Sequence, residues 1–139
     1  MKLPAFVDTN FLCALYNRTD SLHERAKQQV PLLKKFYPVI SNFILLESYT
    51  ILSQRAGKLN AIEFKKKIYN NNDYQIIWID KEFENNIWKI FKKIKDKNFS
   101  YVDVSILAII KQEKIKHLLS FDESFKLLQK EFCFKLIGV

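Results

Sequence analysis

Residues 3–10 read LPAFVDTN. The chain is apolar from Leu3 to Val7 and stops at Asp8, with Thr9 and Asn10 directly behind it. A strand that is apolar at every position, rather than at alternate ones, is covered on both faces, as strands of parallel sheets are. A carboxylate at the end of such a strand either caps the next helix or belongs to a site at the sheet edge. The other acids of the chain decide between the two.

Further along, YPVIS (37–41), QIIWID (75–80), HLLSFD (117–122) and FKLIGV (134–139) read as short apolar strands. Helical spacing fills the gaps between them. FLCALY (11–16) is a short apolar helix, and Leu22, Ala26, Val30 and Leu33 share one face of a helix over 20–36. Asp20 or Ser21 serves there as cap, and Pro31 implies a kink or break. NFILLESYTILSQRAG (42–57) is expected to start on Asn42 as cap and stop at Gly57. A charged helix covers 60–69. Residues 81–95 carry an apolar stripe of Phe83, Ile87, Ile90, Phe91 and Ile94 with lysines opposite, read as core and not as a base-stacking surface, with Asp80 as N-cap. SYVDVSILAIIKQ (100–112) is a nearly all-apolar helix, and a last helix ends near 131. Strands alternating with helices predict a three-layer α/β/α sandwich with a central parallel sheet.

At 139 residues the chain is expected to be a single domain, residues 1–139, able to bury roughly two thirds of its unfolded surface. A hydrophobic share of 48% excludes a disordered chain, and only 2 glycines and 3 prolines argue against a turn-rich all-β protein. Charged residues break every apolar run before the roughly 18 residues of a membrane span, and the run before Asp8 is too short for a signal peptide. Cys13 and Cys133 have neither metal nor redox spacing and read as reduced thiols. The expectation is a soluble cytoplasmic domain without a membrane partner.

The charge is +8, from 23 basic and 15 acidic residues. Such an excess favours polyanionic partners through phosphate contacts and counterion release, although a lysine-rich genome produces it as well. The lysines at 65–67 and at 89, 92, 93, 95 and 97 form either an RNA-contacting rim or a solvated helix face.

Two acids sit on apolar helix faces. Glu47 has Phe43, Ile44, Thr50 and Ile51 as its same-face neighbours, and Asp103 has Phe99, Ser100, Ile106 and Leu107. An unpaired buried charge costs several kcal/mol or is forced neutral. No basic residue lies within four positions on either face. The remaining compensations are a solvated helix end or a shared cation. Asp8 and Asp122 end strands on the sheet side where ligands bind. Four converging carboxylates offer oxygen-only ligands, suited to hard Mg²⁺ or Mn²⁺ rather than zinc. Such clusters serve phosphoryl chemistry.

In their order and spacing, VDTN, LLESYTIL, SYVDVSILA and LLSFDESF resemble the PIN-domain ribonuclease family, over essentially the whole chain. Its bacterial and archaeal members are mostly VapC-type toxins of toxin–antitoxin pairs. The resemblance implies that Asp8, Glu47, Asp103 and Asp122 bind Mg²⁺ or Mn²⁺ for hydrolysis of RNA. Thr9, Asn10, Ser100 and Ser120 would be the supporting polar residues. Glu123 competes with Asp122 for the fourth acidic position. The resemblance further implies a cognate antitoxin, held in an apolar groove, and a homodimer.

Each residue also has a plainer reading. Asp8 and Asp122 can simply cap helices, Ser100 can cap its helix or orient Asp103, and His23 and His117 read as a surface and a strand-start residue. A phospho-acceptor receiver domain also clusters acids at strand ends. It needs a paired acid after its first strand and a late lysine, and FVDTN and HLLSFD supply neither. A catalytically inactive PIN-like protein that binds RNA or scaffolds a complex is the other alternative.

Overall fold

The computed structural model describes residues 1–70 and 72–138. Asn71, within the NNN run, and Val139, at the end of the expected last strand, lie outside them.

The central strand is β1 (Leu3–Val7), where Ala5, Phe6 and Val7 are fully buried, as a run apolar at every position requires. It pairs with β2 (Phe36–Ser41) on one side and β4 (His117–Leu119) on the other, Phe6 standing in register with both Val39 and Leu118. β3 (Gln75–Ile77) lies outside β2 and β5 (Lys135–Ile137) outside β4, giving the order β3-β2-β1-β4-β5. Every pairing is parallel.

The connections are α1 (Thr9–Tyr16) and α2 (His23–Leu33), then α3 (Asn42–Ala56) and α4 (Lys58–Asn70), then α5 (Lys81–Lys93) and α6 (Tyr101–Glu113). A 3₁₀ helix (Glu123–Leu128) and α7 (Gln129–Phe132) precede β5. The chain walks outward from β1 to β3 and returns to β4. With right-handed crossovers, α1 to α4 cover one face and α5 to α7 the other. Most helix contacts follow this division: α1 touches α2 and α3, α3 touches α4, α5 touches α6, and α6 touches α7, while α3 and α6 meet across it. The result is the expected three-layer sandwich with one cluster of buried apolar residues.

Several local expectations are corrected. Ser41, not Asn42, caps α3, its Oγ accepting from Ile44 N at 3.2 Å. Asn42 is committed elsewhere: its Oδ1 accepts from Ile79 N at 2.7 Å and its Nδ2 donates to Ile79 O at 3.2 Å. A side chain thus satisfies the backbone that a longer third strand would have paired, and β3 ends at Ile77 instead of Asp80. Pro31 does not break α2 on the spot, because it sits in the last turn and the helix runs two residues past it to Leu33. The segment after Asp122 is 3₁₀ before it is α. Gly57 stops α3 at φ +93°, and Asp80 caps α5 through Phe83 N at 2.8 Å, both as read from the sequence.

Among the described residues no helix is long and apolar enough to cross a membrane. Cys13 is buried, Cys133 is exposed, and both are free thiols.

Candidate active site

Strand order reverses between β1 and β4, the point at which an open α/β sheet leaves a crevice at its carboxyl edge. Asp8 stands there, one residue past β1, its backbone N donating to Leu119 O of β4 at 3.0 Å. It does cap a helix, Oδ1 accepting from Thr9 N at 2.7 Å. Its other oxygen accepts from Ser120 Oγ at 2.8 Å. Only 5% of the residue is exposed.

Ser120, itself fully buried, also accepts from Asp122 N at 3.0 Å and from Asn10 Nδ2 at 3.2 Å. Asn10 Oδ1 in turn accepts from Phe121 N at 3.2 Å. Asn10 and Ser120 therefore lock the end of β4 to the start of α1. Thr9 behaves otherwise: its Oγ1 is buried without a hydrogen-bond partner among the described residues.

Asp103 lies in the first turn of α6 and is half-buried. Ser100 and Asp103 form a reciprocal capping box, Asp103 N donating to Ser100 Oγ at 3.1 Å and Ser100 N to Asp103 Oδ2 at 2.9 Å. Ser100 thus caps the helix and orients the acid together. Glu47, on the second turn of α3, is likewise half-buried, and α3 meets α6.

The two candidates after β4 separate. Glu123 is exposed and reaches Lys126 at 3.6 Å. Asp122 is half-buried; its Oδ1 accepts from Ser124 N at 2.9 Å, and its charge acts on Asp103.

The electrostatics show which acids share a neighbourhood. Burial pushes Asp8 up to about 7, the charges of Asp103 and Glu47 push the same way, and the bonds from Ser120 and Thr9 N oppose them. Asp103 is also raised, first by burial, then by the charges of Asp122 and Glu47, against its bonds with Ser100. Glu47 acts on Asp8, Asp103 and the Cys13 thiol, the last pushed up to about 11 chiefly by burial. The charges of acids from four separated segments therefore meet at Asp8 and Asp103, at the carboxyl end of the sheet. The ion pairs among the described residues are Lys27–Glu24, Lys66–Glu63 and Lys126–Glu123, and none involves the four. The four acids thus lack an ion-pair partner among the described residues, in a protein of net charge +8. Even so, among the described residues no three Asp, Glu, His or Cys side chains stand close enough together to grip one ion directly.

His23 begins α2, its Nδ1 2.7 Å from Ala14 O, and is half-buried rather than on the surface. His117 begins β4 against Phe36. The lysines at 65–67 and at 89, 92, 93, 95 and 97 are all exposed. The sequence reading overlooked an aromatic group that joins α5 to the helices carrying Asp103 and Glu47. Tyr101, two residues before Asp103, meets Phe43, one turn before Glu47, at a ring distance of 6.3 Å, and Phe91 at 5.3 Å. The available signal was Trp88, a large ring off the apolar stripe of α5.

Residues 5–131 match the PIN domain family. The chain is 29% identical over 122 residues to the 23S rRNA-specific endonuclease VapC20 of Mycobacterium tuberculosis, covering 86% of this chain and 90% of that one. It also resembles the crystal structure of Mycobacterium tuberculosis VapC20, described as a Sarcin-Ricin loop cleaving toxin. The TM-score there is 0.80 at 26% identity, with 88% of this chain and 93% of the other covered. A toxin-antitoxin complex from Klebsiella pneumoniae shares the fold, with a TM-score of 0.60 at 18% identity over 87% of this chain and 89% of the other. An acid-edged parallel sheet with this topology, matched over nearly its whole length, belongs to the PIN-domain family.

Proposed function

We propose that this chain is a single-domain, divalent-metal-dependent endoribonuclease and the toxin of a toxin–antitoxin pair. The observation that carries the reading is the convergence of the Glu47, Asp103 and Asp122 charges on Asp8 and Asp103, with no ion pair to any of the four among the described residues. A cluster of that kind is stable only if protonated or neutralised by a cation.

The donor set suits Mg²⁺ or Mn²⁺, being carboxylate oxygen throughout. Mg²⁺ keeps several waters and needs only one or two direct carboxylates, so three acids within direct grip are not required. Asp8, Glu47, Asp103 and Asp122 would hold the cation. When bound, it supplies a lowered pKa for water and an offset for charge on phosphate oxygens. The protein's own part is positional. Ser120 and the Thr9 N–H aim the two oxygens of Asp8. Ser100 fixes Asp103, and Asn10 ties both strand ends together. Exposed lysines hold the RNA backbone as point charges.

The mycobacterial relative, a 23S rRNA-specific endonuclease, supports ribosomal RNA as the first substrate to test. A face between α3 and α4 lined by Tyr49, Ala61, Ile62 and Tyr69, with exposed Leu46 and Leu59 nearby, suits the amphipathic segment of an antitoxin. A homodimer and a cytoplasmic location complete the proposal, and sedimentation at high micromolar concentration tests the first.

The test is cleavage of total RNA with Mn²⁺, with EDTA, and by Asp103→Asn. Cleavage that needs the ion and is lost in the variant supports the reading; cleavage that survives both treatments overturns it. The rival, an inactive PIN-like RNA-binding protein, draws on the spacing of the acids. It predicts RNA binding and no cleavage in any arm.

A further inference from the structure

The apolar stripe of α5 faces inward: Ile87 is fully buried, and Phe83, Ile90, Phe91 and Ile94 are half-buried against the core. Trp88 lies off that stripe and is 51% exposed. A large ring half in water is not explained by the core. Nor is it isolated. It stacks on Phe91, with centroids 5.8 Å apart and planes 24° apart, and lies 6.3 Å from Tyr101. Tyr101 meets Phe91 at 5.3 Å and Phe43 at 6.3 Å. A run of rings therefore leads from the surface of α5 to α6 and α3, the helices that carry Asp103 and Glu47. Tyr101 precedes Asp103 by two residues, and Phe43 precedes Glu47 by one helical turn.

The polar surroundings indicate the occupant. Lys92 lies one turn beyond Trp88, on the same side of α5, with Lys89 and Lys93 beside it, all exposed. Glu84, one turn before Trp88, lies with its Oε1 3.4 Å from the Tyr101 hydroxyl, which helps hold the phenol in place. An exposed ring flanked by lysines suits a base and its phosphate together. The α3–α4 face is mostly aliphatic instead, with Leu46, Leu59 and Ile62 exposed beside the Tyr69 ring.

We infer that Trp88, backed by Phe91 and Tyr101, is a stacking platform for an unpaired nucleobase of the RNA substrate, with Lys92 on the adjoining phosphate. The inference rests on the ribonuclease reading and deepens it. A base can stack there only if it has left its helix, so the platform favours loops and single strands over duplex. It does not read base identity, because every base has a π-face.

Two measurements test this. In the first, Trp88→Ala and Trp88→Phe are compared with the unaltered protein in cleavage of an unstructured RNA, with melting temperatures recorded. Loss of one stacked base is expected to raise KM about tenfold or more in the alanine variant, with kcat little changed. Trp88→Phe keeps a ring and should recover most of the loss. In the second, Trp78→Phe leaves Trp88 as the sole indole, the chain having 2 tryptophans. Its fluorescence is followed in Mg²⁺ during the binding phase, before cleavage, with the same RNA and with an abasic version. Quenching that requires bases supports the platform. Unchanged KM in Trp88→Ala, or equal quenching by abasic RNA, overturns it. So does an alanine variant that cleaves RNA normally but loses a dimer or antitoxin contact, which would make this face a protein interface. If the unaltered protein cleaves no RNA yet shows base-dependent quenching, the platform stands and the ribonuclease reading falls.

Discussion

The Ser120 hydroxyl donates to Asp8 Oδ2 at 2.8 Å, joining residues 112 positions apart. The same oxygen accepts from Asp122 N and Asn10 Nδ2, so one buried hydroxyl organises the carboxyl ends of both β1 and β4. Replacing Ser120 with Ala leaves a buried carboxylate oxygen without its donor. We expect a loss of about 1–3 kcal/mol at pH 8, where Asp8 is largely charged. The loss should shrink at pH 5, where Asp8 is protonated. Urea unfolding at the two pH values checks this, and an equal loss at both would mean that the bond does not favour the charged form.

Asp8 also makes stability depend on pH. Its ordinary pKa of 3.8 applies to the unfolded chain, and about 7 to the folded one. Between these values the folded state holds a proton that the unfolded state has released. Stability therefore falls as pH rises through this window and is lowest above about 7. Asp103, raised as well, adds in the same direction. In EDTA, Asp8→Asn should flatten the dependence and raise the melting temperature at pH 8, by an amount worth at most a few kcal/mol. A variant as pH-sensitive as the parent would contradict the assignment.

Divalent cations should reverse that penalty without any RNA present. Binding to the folded state alone stabilises by about 2.7 kcal/mol at a hundredfold excess over Kd. Mn²⁺ should accordingly raise the melting temperature of the unaltered protein, and much less that of Asp8→Asn or Asp103→Asn. The comparison needs only calorimetry. An equal rise in all three would place the ion elsewhere.

Asp122 and Glu123 should part company in activity. Glu123 is exposed and among the described residues pairs with Lys126 alone, so Glu123→Gln should change stability by no more than about 0.5–1 kcal/mol and leave cleavage intact. Asp122→Asn keeps an oxygen for Ser124 N, since asparagine is as good a cap, and should preserve the fold. Its cleavage should drop on the order of a hundredfold or more, as when a charge-stabilising group is removed. The opposite ranking would assign the fourth position to Glu123.

The sequence by itself determined the parallel sheet and where its strands meet their acids. A run apolar from Leu3 to Val7 must be covered on both faces, and Asp8 cannot follow it inside without compensation. It likewise determined Gly57 as a helix stop and Asp80 as a cap, because those features depend only on nearby backbone. The strand order, the choice of Asp122 over Glu123 as the acid that couples to Asp103, and the reciprocal roles of Ser100 and Asp103 needed the folded chain. So did the release of Asn42 from capping, since its partner Ile79 lies 37 residues on. Trp88 is the clearest case. Periodicity assigns a residue to a helix face, but only the neighbouring α6, by bringing Tyr101 alongside, decides that its ring ends half in solvent against another ring. Local pattern reports what a segment needs buried; what it meets depends on segments that pattern does not contain.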